Sequence, residues 1–276
     1  MADNTENKET GAGALDHSSR SEFFDYYADQ SASPEARARF ERLRDIILRI
    51  RRDVSPTEKR TFDVLDVGCG AGTLSVLWAE AGHRVIGIDV NAPLIELARK
   101  RGAESSRTVD FRVGTATALP LEDESIDICM VPELLEHVAE WEKCLDEFTR
   151  VLRPGGLLYL TTTNRLCPRQ QEFNLPLYSW YPGFLKRRFE AMAVGKYPGL
   201  ANHATYPAVN WFTVGQLRSE FRRRGCATVL DRFDISSFDD KGPLRNRIIA
   251  FIRWFAPARM AAQFLNSGSS VLGIKA

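Results

Sequence analysis

Residues 64–72 read VLDVGCGAG, and residues 85–91 read VIGIDVN. The first stretch is a short apolar run that breaks into glycine, the pattern of a buried strand ending in a turn. Gly68, Gly70 and Gly72 remove the Cβ from three positions of that turn, so its backbone can take φ > 0 and a ligand can approach closely. The second stretch is another strand, and it ends on an acid, Asp89. A carboxylate at the tip of the next strand, about twenty residues on, is placed to accept two ribose hydroxyls. Together they describe a nucleoside-binding crevice at the carboxyl ends of parallel strands.

Glycine spacing decides which nucleoside. The dinucleotide fingerprint G-x-G-x-x-G seats a pyrophosphate on a helix N-terminus. Here the third glycine position is Thr73, and the glycines run Gly68-x-Gly70-x-Gly72 instead. Asp66 puts a negative charge beside the turn, which repels a pyrophosphate and suits the ammonium of an amino acid. A ligand with both a ribose and a cationic amino acid is S-adenosylmethionine. A lone glycine motif would equally serve to pack a helix on a strand; Asp66, the glycines and Asp89 in this order favour the ligand.

Working outward, the same half of the chain holds ALP at 118–120, SIDICMVPELLEHV at 125–138, and LRPGG at 152–156 before LLYLTTTN. With LDVGCGAG and Asp89, these segments resemble the class I S-adenosylmethionine-dependent methyltransferases over residues 62–163. ELLEHV and TTTNR resemble most closely the ubiquinone-biosynthesis O-methyltransferase type. The resemblance implies an α/β fold, a doubly wound, seven-stranded, mostly parallel sheet whose last strand is antiparallel. It also implies a cofactor site built from Asp66, Gly68, Cys69, Gly70, Gly72, Asp89, Val90, Thr115, Ala116 and Pro132. One departure stands out. Many relatives carry Gly-Asp-Ala after the third strand, and this chain has Gly114-Thr115-Ala116, which loses a carboxylate contact to the adenine.

Composition fits a cytoplasmic enzyme with one main domain. The chain has 276 residues, 44% hydrophobic and 26% charged. Its five cysteines form no CxxC pair, which argues against a zinc site or a disulfide framework. The polar opening MADNTENKETG does not read as a signal peptide, and no apolar run approaches the ~20 residues of a membrane span. Residues 1–163 hold 20 of the 37 Lys+Arg and 29 of the 36 Asp+Glu; residues 164–276 hold the other 17 and 7. A basic second half suggests an anionic partner or a solvated basic surface.

Along the chain, 1–20 reads as a disordered tail and 21–60 as N-terminal cap helices at 21–29 and 34–52, with Phe23, Tyr26 and Tyr27 as a lid or as simple packing. Residues 61–163 alternate strand and helix as the cofactor-binding core. Residues 164–212 interrupt it with many aromatics and prolines, the composition of a substrate-binding cover or of a stabilising lobe with its own small core. Residues 213–276 resume the core with a helix at 213–224, a strand at 226–235 and a closing strand at 270–276. Within them 241–266 is an amphipathic basic insertion: Leu244, Ile248, Phe251, Ile252 and Phe255 at helical spacing, arginines between, and Pro257 to kink or end the helix. That stripe suits packing, on its own domain or on a second subunit, ahead of peripheral contact with a membrane.

Methyl transfer asks for positioning and, for an oxygen acceptor, a general base. His137, just past the fourth strand, is the first candidate and His203, in the aromatic segment, the second; a structural role for His137 weighs equally. Glu133, Glu136 and His137 share a face if a helix starts early, but acids at a helix start are explained by the macrodipole, so no metal is expected. The favoured reaction is O-methylation of a phenolic, glycosyl or lipid-linked hydroxyl on a small-molecule or lipid-linked acceptor. N- or C-methylation, a nicotinamide-dependent oxidoreductase and a non-catalytic cofactor-binding partner are the alternatives. No nucleic-acid substrate is expected, since no Asn-Pro-Pro-Tyr-type motif follows the fourth strand. Oligomeric state is not legible.

Overall fold

The computed structural model describes residues 31, 33–54, 61–105, 108–170, 173–194, 196–200, 208 and 210–276. Seven strands form one sheet: β1 Asp63–Val67, β2 Arg84–Asp89, β3 Asp110–Val113, β4 Ile126–Pro132, β5 Leu152–Thr163, β6 Cys226–Asp231 and β7 Gly268–Lys275. Their order is β3-β2-β1-β4-β5-β7-β6. Strands β1 to β5 pair in parallel, and β7 runs antiparallel between β5 and β6. This is the doubly wound, seven-stranded, mostly parallel sheet expected from the sequence. Connections run one way from β1 to β3 and the other way from β4, so the order reverses between β1 and β4. A sheet of this kind opens its crevice at such a switch point, beyond the carboxyl ends of the strands.

Both faces of the sheet are covered, which is why its strands read as near-continuous apolar runs. Side chains alternate between faces along each strand. Leu65, Cys129 and Leu158 point to a core with Leu145 and Phe148 of α4 (Trp141–Val151) and with Leu217 and Phe221 of α6 (Val214–Arg223). Their neighbours Val64, Ile128 and Leu157 point to the other core. It is built on Ile46, Ile47 and Ile50 of α1 (Pro34–Val54) and on Leu74 and Trp78 of α2 (Thr73–Glu80). Helix α3 (Ala92–Glu104) closes the β2–β3 edge, with Asn91 Oδ1 capping its first turn through the Leu94 N–H at 3.0 Å.

Helix α1 is therefore a layer of the sandwich. The residues expected to form a lid, Phe23, Tyr26 and Tyr27, lie outside the described residues. The chain does enter α1 beside the glycine turn: Arg101 Nη1 donates to Ser31 Oγ at 3.1 Å and to the Ala71 carbonyl at 3.4 Å.

Two expectations need correction. The strand predicted over 226–235 ends at Asp231, and Arg232–Ser236 form a short helix, α7. Asp231 Oδ1 accepts the N–H groups of Phe233 and Asp234, while Asp234 Oδ2 accepts the Asp231 N–H at 3.2 Å. That reciprocal capping box turns an apolar-looking run into a helix start. The segment 241–266 is two helices, α8 (Pro243–Trp254) and α9 (Ala256–Phe264), broken beside Pro257 as expected, with Pro257 in the first turn of the second. The expectation that its apolar stripe packs on the domain is not met, because neither helix buries a single residue.

The segment after β5 has its own small core. Phe173 stacks on Tyr178 with ring centroids 4.1 Å apart, and Trp211 meets Tyr178 edge-on at 5.8 Å. Helix α5 (Gly183–Val194) closes this cluster, with Lys186 Nζ 4.4 Å from the Trp211 ring. Phe173 and Tyr178 are buried in this small core, while Trp180 and Phe184 stay exposed.

Candidate active site

The glycine turn is tied down at its base and open at its tip. Gly68 and Cys69 N–H groups both donate to the Ile88 carbonyl, at 2.8 and 3.1 Å, which clamps the turn to β2. Gly68, Gly70 and Gly72 have φ of 72°, 51° and 80°, the left-handed region that L side chains avoid. Their uses differ. A Cβ on Gly70 would meet nothing within 4 Å, so its face is free for a ligand. A Cβ on Gly72 would fall 2.7 Å from Phe111 and 2.9 Å from Ala98 Cβ, so Gly72 also lets α3 and β3 approach the turn.

Asp89 leans over the turn. Its Oδ2 accepts the Gly70 N–H at 2.8 Å and its Oδ1 the Asn91 N–H at 2.9 Å. Burial raises its pKa, against the pull of the backbone donors at Asn91, Gly70 and Val90. Asp66 lies beneath, within β1 and 1% exposed. Ser75 Oγ donates to its Oδ2 at 2.6 Å, and its Oδ1 is buried with no hydrogen-bond partner among the described residues. Burial pushes the Asp66 carboxyl up to about 7; the Ser75 bond opposes this and the Asp89 charge adds to it.

These features fit the inferred cofactor. A buried carboxylate oxygen without a donor needs a cation or a proton, and the ammonium of a methionine moiety would supply three N–H donors. Asp89 presents a second carboxylate where a ribose diol would lie, and the Gly70 tip leaves room between them. Two carboxylates at one turn disfavour a pyrophosphate there.

The other cofactor residues take varied positions. Cys69 is half-buried, and burial with the Asp66 and Asp89 charges pushes its thiol well up, so it is a packing residue. Val90 is exposed beside Asp89 and Pro132 ends β4. Thr115 Oγ1 lies 2.8 Å from Thr117 Oγ1 and Ala116 is buried in the core next to it. In place of the family's acid, this loop has a hydroxyl pair.

The segment after β4 faces the turn, since Leu134 Cδ1 would lie 3.2 Å from a Cβ on Gly68. Residues Leu135–His137 form a single 3-10 turn, not the start of an α-helix, so Glu133, Glu136 and His137 do not share a helical face. Glu133 has φ 49° and donates its N–H to the Thr161 carbonyl at 3.0 Å. Glu136 turns inward, where it accepts the Thr162 Oγ1–H at 2.8 Å and meets the Glu133 side chain. Burial, with Glu133 beside it, pushes its pKa well above the carboxylate range. His137 is half-buried at the end of the turn, with Nδ1 sealed from solvent. His203 lies outside the described residues. Among the described residues, no group of three or more His, Cys, Asp or Glu side chains is placed to hold a metal.

Sequence reasoning missed Ser75 and Asn210, and read Glu136 only as an acid at a helix start. Asn210 Nδ2 donates to the Leu135 and Val138 carbonyls at 3.0 and 2.7 Å, and its N–H donates to the Glu136 carbonyl at 3.0 Å. The end of the aromatic lobe thereby clamps the turn that carries Glu136 and His137. A serine in the first turn of the helix after a glycine motif was the one signal available for Ser75.

Residues 65–160 match a family model described as a methyltransferase domain. Over 102 residues the chain is 40% identical to a ubiquinone biosynthesis O-methyltransferase of Chelativorans sp. (strain BNC1), covering 37% of this chain and 40% of that protein. The chain spans less than half the length of the curated relatives it matches. Among solved structures, YcgJ of Bacillus subtilis is similar at a TM-score of 0.52 and 19% identity, over 84% of this chain and 98% of that one. Phosphoethanolamine N-methyltransferase 2 of Haemonchus contortus, solved in complex with S-adenosyl-L-methionine, is similar at a TM-score of 0.52 and 15% identity, over 92% and 60%. At such identities the structural likeness speaks for the fold.

Proposed function

We propose that this chain, whose residues 65–160 form a class I S-adenosylmethionine-dependent methyltransferase domain, transfers a methyl group to a hydroxyl of a small-molecule or lipid-linked acceptor. The observation that carries the reading is the buried Oδ1 of Asp66, without a hydrogen-bond partner among the described residues, in the strand that leads into a glycine turn whose Gly70 N–H is accepted by Asp89. The cofactor, when bound, supplies a methyl already activated on a sulfonium. The protein's part is to place the acceptor in line, exclude water and take a proton. Holding the reacting atoms about 3–3.5 Å apart provides much of the acceleration.

His137 is the base this reading assigns, with His203 as the second candidate. The site for the acceptor is the space between the 133–137 turn and the aromatic lobe that Asn210 ties to it. Oxygen is favoured as the acceptor atom because the curated relatives that the chain matches over part of its length are O-methyltransferases.

Calorimetry with S-adenosylmethionine, its demethylated product and NAD tests the cofactor. Binding of the first two and not the third is expected; tight NAD binding with no response to S-adenosylmethionine overturns the proposal. Transfer of labelled methyl to a panel of catechols, prenylated phenols, glycosides and amines then tests the acceptor, and label appearing only on amines would replace oxygen by nitrogen.

A further inference from the structure

Helices α8 and α9 sit with their ionic side inward. Arg253 Nε donates to Asp234 Oδ1 at 3.2 Å, Arg259 Nε to Asp231 Oδ2 at 2.8 Å, and Arg245 Nη1 to the Asp239 carbonyl at 3.3 Å. The three carboxylates Asp231, Asp234 and Asp239 also serve Arg42, Arg218 and Lys241, so six cations share them and the base of the helices stays net positive. The opposite side is apolar. Leu244, Ile248, Phe251 and Phe255 follow one helical stripe, and Leu244, Phe251 and Trp254 are 73%, 51% and 81% exposed. The rings of Phe251, Trp254 and Phe255 cluster with centroids 5.6 to 6.4 Å apart. A surface helix ordinarily turns its apolar stripe to the core and its charges to water. This pair is inverted.

Its place in the fold is equally telling. Strand β6 ends and β7 begins at the carboxyl edge of the parallel strands, the edge that carries the glycine turn. Asn164 Nδ2 donates to the Gln263 and Asn266 carbonyls at 2.8 and 2.7 Å, which ties the end of α9 to the point where the aromatic lobe leaves β5. The helix pair is therefore anchored, through the end of α9, at the base of the aromatic lobe.

We propose that α8 and α9 dock the protein on an anionic bilayer surface, with Trp254, Phe251 and Leu244 inserted between headgroups. Charge selects this occupant. No acidic residue follows Asp240, and Arg247 is exposed with no carboxylate partner among the described residues. A second copy paired through the same face would set Arg247, on the exposed flank of α8, and the net positive base against their own equivalents, whereas phosphate headgroups complement them. The attraction of each arginine to such a surface is screened by salt. Trp and Phe supply the apolar part at the boundary between water and hydrocarbon. This inference extends the reading of a lipid-linked acceptor, but its test uses neither acceptor nor methyl transfer, so the two can fail separately.

The test is sedimentation of the full chain with vesicles of phosphatidylcholine alone and of phosphatidylcholine with phosphatidylglycerol. Binding to the anionic vesicles at low salt is expected, weakened at least tenfold at high salt and at least tenfold by Trp254→Ser combined with Phe251→Ser. Arg247→Glu should weaken it several-fold. All three side chains are exposed, so cofactor affinity and melting temperature should stay at wild-type values in these variants, which separates lost docking from lost folding. No sedimentation with anionic vesicles at low salt overturns the proposal. So does a dimer by light scattering that Trp254→Ser dissociates while vesicles go unbound, or vesicle binding that appears only after residues 1–30 are removed.

Discussion

Ser75 Oγ donates to Asp66 Oδ2 at 2.6 Å and leaves Oδ1 of the same buried carboxylate without a partner among the described residues. The carboxyl is pushed up to about 7, chiefly by burial, whereas an unfolded aspartate titrates near 3.9. Between about pH 4 and pH 7 the folded protein keeps a proton that the unfolded chain has released, so this group makes stability fall as pH rises through that window. At about 1.4 kcal/mol for each pH step across the window, the loss is on the order of 4 kcal/mol in the cofactor-free protein.

Asp66→Asn should flatten that slope, raise the unfolding free energy of the cofactor-free protein at pH 8, and abolish cofactor binding. Denaturant unfolding at pH 5 and pH 8 reads the first two, and calorimetry reads the third. Wild-type affinity for S-adenosylmethionine should fall up to tenfold for each pH step below about pH 7, because the ammonium needs the ionised carboxylate. An affinity independent of pH between 5 and 8 would contradict the role given to Asp66.

Asp89 accepts the Gly70 and Asn91 N–H groups, and under the proposed function the same side chain also takes the ribose hydroxyls. Asp89→Ala removes acceptors for the Gly70 and Asn91 N–H groups. Charged hydrogen bonds of this kind are worth roughly 1.5–3 kcal/mol, so affinity for S-adenosylmethionine should fall about 10- to 150-fold. Comparison with a cofactor analogue lacking the ribose hydroxyls makes the test specific. If Asp89→Ala costs the analogue as much as the parent cofactor, the carboxylate acts through the turn and not through the ribose.

Much of this was legible in the sequence because it is local. The glycine turn, the acid one strand later and the strand–helix alternation are short-range patterns that no long-range contact overrides. The number of strands and the antiparallel last strand came with the resemblance. What escaped depends on partners far along the chain. Glu136 reads like any acid at a helix start, and only Thr162 and Asn210 show that it turns inward. Arginines 245, 253 and 259 read as a solvated basic face until the fold sets them on Asp231, Asp234 and Asp239. That exchange of inside for outside cannot be seen in a helical stripe alone.

Gly87 has no special backbone angle, yet a Cβ there would lie 2.7 Å from Phe111 Cδ1 and 3.1 Å from Cys69 Sγ. Gly87→Ala should therefore cost about 1–3 kcal/mol through overpacking. The companion change Phe111→Leu should restore part of the loss, because it removes the ring edge that the new methyl meets. Gly72→Ala should not be rescued to the same extent, since φ of 80° is strained for alanine whatever the space. Urea denaturation of the two single and two double variants checks this, and equal rescue at both positions would show that sterics alone decide them.

Glu136 and His137 adjoin in one 3-10 turn and make opposite predictions. Burial and Glu133 push the Glu136 carboxyl well above the carboxylate range, which favours its uncharged form, the form an amide mimics. Glu136→Gln should keep the fold, the Thr162 hydrogen bond and most of the turnover. Its gain should appear at high pH, where the wild type must either ionise a buried acid or open the turn to do so. Glu136→Ala should be worse than Glu136→Gln, because it leaves the Thr162 hydroxyl without its acceptor, a loss of about 1–3 kcal/mol. His137→Ala should lower kcat ~10²–10⁴-fold with cofactor affinity nearly unchanged, the usual effect of removing a positioned base. The pH profile separates the two residues: with His137 as the base, the acidic limb of kcat/KM disappears in His137→Ala and persists in Glu136→Gln. If the limb instead disappears in Glu136→Gln while His137→Ala keeps wild-type turnover, the proton passes to the buried carboxyl and His137 is a structural residue of the turn.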